Sequence, residues 1–110
     1  MVLISLPQFS GGPAKLRPAL VLAELPGPYQ NLLICGISTQ LRQQNANWDE
    51  LIETRDADFV ASGLRRDSII RLSYLYSADS SEIAGVIGRI DASRLRPLRQ
   101  RLSAHLDLPT

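Results

Sequence analysis

Arg17 and the Ser38-Thr39-Gln40 cluster are the residues whose types and placement best allow chemistry in this chain. Lys15-Leu16-Arg17-Pro18 runs into one apolar segment, and Ser38-Thr39-Gln40 ends the next. If those segments are consecutive antiparallel strands, the start of one lies beside the end of the other, and a cation and hydroxyls share one sheet edge. A guanidinium matches phosphate oxygens with its planar fork, and a hydroxyl donates to a phosphate or a sugar. This set suits RNA cleavage, in which the ribose 2′-hydroxyl is itself the nucleophile. The protein then has to orient the sugar, move protons and stabilise a charged pentacovalent phosphate. An ordinary guanidinium holds its proton too tightly to serve as a good general base, so stabilising charge is the easier role for Arg17.

Other chemistries lack their parts. His105 and Cys35 are the single histidine and the single cysteine, too few for the common zinc sets, and no metal or cofactor is expected. Asp56 and Asp58 leave a carboxylate-only magnesium site open, although acids in such a loop are far more often solvated. There is no G-x-S-x-G elbow for a serine hydrolase, and Gly11-Gly12-Pro13 lacks a Walker lysine. Cys35, inside Leu32-Leu33-Ile34-Cys35-Gly36-Ile37, reads as a buried apolar side chain in a reducing compartment, which predicts a cytoplasmic protein. Neither a signal-peptide pattern nor an apolar run near the ~18 residues of a membrane span is present, so no membrane contact is expected.

The elements that must position Arg17 and Ser38 belong to one domain spanning 1–110, with 45% apolar and 21% charged residues. The formal net charge is only +1, so the overall field does not argue for nucleic acid; eleven of the twelve cationic residues are nevertheless arginine. Pattern and turn residues predict strands at Val2–Leu6, Ala19–Glu24 behind Pro18, Asn31–Ser38 and Ser68–Tyr74, the last continuing past a bulge to Ala78. A short strand is expected within Trp48–Thr54, a helical turn before Gly63, a turn at Ser80–Glu82 and a final strand at Ala84–Ile90. The tail, Asp91–Leu106, reads as a helix with a stripe of Leu95, Leu98, Leu102 and Leu106. Pro97 favours an N-cap at Ser93, which would leave the proline in the first turn. Strands at short spacing with one terminal helix indicate a mainly β fold, a small closed or nearly closed barrel. Phe9 and Trp48 are aromatic candidates for stacking on bases or for covering the barrel mouth.

Four blocks occur together in order: Lys15-Leu16-Arg17-Pro18-Ala19-Leu20-Val21-Leu22, Gly36-Ile37-Ser38-Thr39-Gln40, Ser62-Gly63-Leu64-Arg65-Arg66-Asp67-Ser68-Ile69-Ile70-Arg71-Leu72, and Ile87-Gly88-Arg89-Ile90 before the helix. With these blocks the chain resembles the PemK/MazF family of toxins from type II toxin-antitoxin systems. Counterparts of the first three there are K-x-R-P-hydrophobic, I-[ST]-[ST]-Q and S-G-L-x-x-x-S-V-[IV]-R-L, and the fourth is similar to the family's ending. The resemblance implies an SH3-like barrel, metal-independent endoribonuclease activity on single-stranded RNA, a homodimer, and an antitoxin whose tail occupies the RNA groove. It implies that Arg17 and Ser38 are catalytic and that Lys15, Thr39, Gln40 and Arg71 contact RNA. Several members carry an acid where this chain has Ser73, which places Ser73 at an RNA-facing position or an outward strand position. Two alternatives go with the same fold: a noncatalytic toxin that binds a protein target, as a gyrase inhibitor does, and an inactive homologue that only pairs with an antitoxin.

Overall fold

The computed structural model describes residues 1–6 and 15–109. The loop at 8–14, with Phe9, lies outside the described residues. The elements are β1 (Val2–Leu6), β2 (Lys15–Glu24), β3 (Asn31–Ser38), β4 (Glu50–Ile52), α1 (Phe59–Ser62), β5 (Ser68–Asp79), β6 (Ile83–Val86) and α2 (Ala92–Leu106). Six antiparallel strands form one sheet in the order β4-β5-β3-β2-β1-β6, with α2 as the one long helix. The mainly β reading with a C-terminal helix holds.

Parts of the inner strands β3 and β5 are apolar without alternation. Ile34 and Cys35 in β3, and Ile69 and Ile70 in β5, are adjacent pairs that are fully buried, because each strand is covered on both faces. On one face Leu20, Leu22, Cys35, Ile70 and Leu72 pack with Leu98 and Leu102 of α2. On the other a smaller cluster holds Val2, Ile4, Ala19, Ile34 and Ala78. Burying each of the two α2 leucines contributes on the order of 2 kcal/mol, which is what fastens the helix to the sheet. Leu106, expected on the same stripe, is 74% exposed in the last turn.

Three boundaries differ from the sequence-based expectation. β2 starts at Lys15 and not at Ala19, because β1 supplies a partner for each residue from Lys15 to Ala19. β6 stops at Val86 and not at Ile90. Beyond it the Ile87 amide donates to the Met1 carbonyl and the Arg89 amide to the Ala61 carbonyl, so the chain leaves the ladder to tie β1 to α1. The N-cap of α2 is Asp91 and not Ser93, which puts Pro97 inside the helix. The Asp91 amide donates to Asp58, and the Arg94 side chain in the first turn is bound to Asp58 as well. These tertiary bonds hold the first turn in place. The backbone bond that Pro97 forfeits lies on an exposed stretch, where water offsets part of the loss.

Candidate functional site

The two central strands separate where the chemistry was expected. β2 and β3 pair as far as Ala19↔Gly36. From there β2 stays with β1, as Pro18↔Leu3 and Arg17↔Ile4, while β3 stays with β5, as Ile37↔Ile70 and Ser38↔Ile69. Pro18 has no amide hydrogen to give to β3, so the position where the ladder stops is the one where a donor is missing. Counting on two residues from Ala19↔Gly36 sets Arg17 opposite Ser38 across the gap. Arg17 is exposed and Ser38 half-buried.

The gap is an open groove of about 720 Å³. Arg17, Ser38, Thr39, Gln40 and Arg71 all line it, over an apolar floor that includes Leu3, Pro18, Ile37 and Ile87. Gly63, Leu64, Arg65 and Arg66, which follow α1, form the facing wall. Among the described residues, four that line it are arginines and none is acidic. Among the described residues none of the four forms an ion pair, whereas Arg55, Arg94 and Arg101 all do. Arg71 is half-buried, and its Nε has no hydrogen-bond partner among the described residues. A groove of this kind attracts an anion and pairs it with planar donor forks.

Ser38 is held by its own turn. Its Oγ accepts the Gln40 amide at 3.0 Å, and its hydroxyl reaches Gln43 Oε1 at 3.4 Å. This local bond between a serine side chain and the backbone two residues on turns the chain out of β3 and leads into the 3-10 turn Leu41–Gln43. The oxygen therefore has a set position at the groove, with one lone pair left for a ligand and a single O–H that can turn from Gln43, 3.4 Å away, to an acceptor on that ligand.

Residues 1–106 match the family model described as PemK-like, MazF-like toxin of type II toxin-antitoxin system. The chain belongs to this family. No curated protein matches it. A toxin of a type II system has an antitoxin as its partner. Among the described residues no helix is long and apolar enough to cross a membrane.

Two residues named from the sequence of this toxin lie elsewhere. Lys15 is exposed at the start of β2 and is not among the groove-lining residues. Ser73 is exposed and also does not line the groove; its amide and its hydroxyl both donate to Asp49 Oδ1 at 3.0 Å. The cause is a large bulge in β5. Cys35 pairs with Leu75 and Gly36 with Arg71, which leaves Leu72, Ser73 and Tyr74 without partners on β3. Asp49, only 3% exposed, takes the freed amide of Ser73 and, through Oδ2, the amide of Asn45. Trp48 packs against the larger core and tilts against His105, with ring centroids 5.0 Å apart, so it covers the core rather than the groove.

In the loop of the toxin that carries Asp56 and Asp58, Asp58 is buried, Asp56 is half-buried, and both bind Arg94. Arg94 donates to Asp58 from Nε and Nη2 at 2.9 and 3.0 Å, to Asp56 at 3.1 Å, and to Glu50 and the Leu51 carbonyl at 3.1 and 3.0 Å. Asp58 is held below the usual carboxylate range chiefly by Arg94, and Asp56 chiefly by the Glu53 amide. The Cys35 thiol is pushed up to about 12 by burial, with the Asp49 carboxylate adding to the effect.

Arg65, Arg66 and Tyr74 are groove residues that reasoning from sequence missed. The adjacent arginines were visible in the Ser62 to Leu72 block. No pattern pointed to Tyr74, because its position depends on the bulge.

Proposed function

We propose that this toxin is an endoribonuclease that cuts single-stranded RNA without a metal ion, using the 2′-hydroxyl of the substrate. The observation that carries the reading is that Arg17, Ser38 and Arg71, from three different strands, line one groove with no acidic side chain among its described residues. The 2′-hydroxyl loses its proton to water as its oxygen attacks phosphorus, and the 5′-oxygen takes a proton from water as its bond to phosphorus breaks, giving a 2′,3′-cyclic phosphate and a 5′-hydroxyl. Negative charge grows on the non-bridging oxygens and on the leaving oxygen. Arg17 and Arg71 meet that charge with planar cationic donor forks. Ser38 donates to a phosphate oxygen from a position set by the Gln40 amide. Thr39 and Gln40 offer donors and acceptors to the ribose or a base.

An acidic antitoxin segment would occupy the same arginine-lined groove and block it. The active form would be a homodimer, which sedimentation of the purified toxin tests.

Purified toxin incubated with single-stranded and duplex RNA in EDTA tests the activity. Cleavage of the single strand is expected, with a cyclic phosphate end, and no cut where the scissile nucleotide is 2′-deoxy. Arg17→Ala and Ser38→Ala should each lose about 100-fold or more in kcat. Wild-type toxin that cuts no RNA under these conditions would overturn the reading.

A further inference from the structure

We propose that Tyr74 is a stacking platform for one nucleobase of the bound single strand, and so a specificity-determining residue of the groove. The inference rests on the RNA-cleaving reading above. Among the described residues, Tyr74 is the one aromatic side chain that lines the groove.

Its ring is held on two sides. Gly36 lies against one: a Cβ built there would sit 3.2 Å from Cδ1 and 3.5 Å from Cγ of the tyrosine, closer than an alanine tolerates without displacing the ring. Tyr76 packs against it in a T-shaped arrangement, with centroids 5.5 Å apart and planes at 83°. Tyr74 is nevertheless only half-buried and lines the groove. A ring already fixed in this way loses little further freedom when a base stacks on it.

The bulge sets this placement. Tyr74 has no partner on β3, and the neighbouring Ser73 is tied by two hydrogen bonds to Asp49. Ser38 follows Gly36 by two residues, on the same face of β3 and about 7 Å along the strand. A base over Tyr74 therefore belongs to a nucleotide flanking the phosphate held at Arg17 and Ser38. Stacking on an aromatic side chain tolerates every base but favours purines by area, so the expected selectivity is graded and not absolute.

The test uses wild type, Tyr74→Phe and Tyr74→Leu with a 2′-fluoro oligonucleotide, which has no nucleophile, carrying 2-aminopurine at each position in turn. Wild type and Tyr74→Phe should quench 2-aminopurine at one position, and Tyr74→Leu should lose the quench and bind about tenfold more weakly. On cleavable RNA, Tyr74→Leu should raise KM by a similar factor with kcat within about threefold, unlike Arg17→Ala. Wild type that binds the oligonucleotide without quenching at any position overturns the proposal, whether or not the leucine variant folds. Tyr74→Leu with unchanged binding and KM overturns it too, while wild-type cleavage leaves the reading above intact. Quenching by a wild type that never cleaves RNA supports the stacking site and overturns the ribonuclease reading instead.

Discussion

Asp49 and Ser73, 24 residues apart, are joined by two hydrogen bonds to one carboxylate oxygen, from the serine amide and from its hydroxyl, each 3.0 Å long. The pair closes the bulge that carries Tyr74 into the groove. Asp49→Ala strands the Ser73 and Asn45 amides and should cost roughly 3 kcal/mol, whereas Ser73→Ala removes one bond and should cost about 1 kcal/mol. Urea unfolding measures both, and the reverse order would contradict this account. Ser73→Ala should also leave RNA cleavage within about twofold of wild type.

Arg65 and Arg66 face the groove from the segment after α1. If they bind phosphates, Arg65→Gln with Arg66→Gln should weaken binding to single strands of any sequence. The slope of log K against log salt should become shallower by about 0.7 for each phosphate that the variant no longer neutralises. Binding titrations at several salt concentrations read this directly; an unchanged slope would remove both residues from the interface.

The Arg94 network should make the fold acid-sensitive. Asp56 and Asp58 titrate below their ordinary value in the folded state. A depressed carboxylate adds stability above its unfolded pKa, near 4, and loses it as pH falls through the folded value. Stability from this source should therefore be constant above about pH 5 and decline below about pH 4. Arg94→Ala leaves Asp58 buried without its cation and should cost roughly 3 kcal/mol at neutral pH. The same variant should flatten the acid decline, which unfolding curves between about pH 3 and about pH 7 would show.

Cys35 is fully buried, and its thiol is pushed up to about 12. At pH ~8 its alkylation in the native toxin should be about a thousandfold slower than in denaturant. Mass spectrometry after timed quenching measures the ratio. Comparable rates in the two states would mean that β3 opens readily.

Much of the scaffold was legible because it is written in short-range pattern. Val2–Leu6 and Asn31–Ser38 are bounded by turn formers, and Gly63, with φ +79°, ends α1 as a left-handed cap should. The placing of Arg17 near Ser38 was legible as well, since consecutive antiparallel strands bring those ends together. The helix start was not. Propensity places Pro97 in a first turn, but Arg94 and Asp91 bind Asp58 from more than thirty residues away and move the cap to Asp91.

By itself the sequence determined the strands, the terminal helix, the family blocks and the facing of Arg17 toward Ser38, all consequences of period, turn chemistry and chain order. Only the tertiary structure decided that β2 and β3 part beyond Ala19 and Gly36 to open the groove. It also decided that Asp56 and Asp58 serve Arg94, and that Tyr74 enters the groove while Ser73 leaves it. Those outcomes depend on which strand each segment pairs with and on a three-residue shift of register between β3 and β5. A register shift redirects side chains without altering the local pattern that a sequence displays.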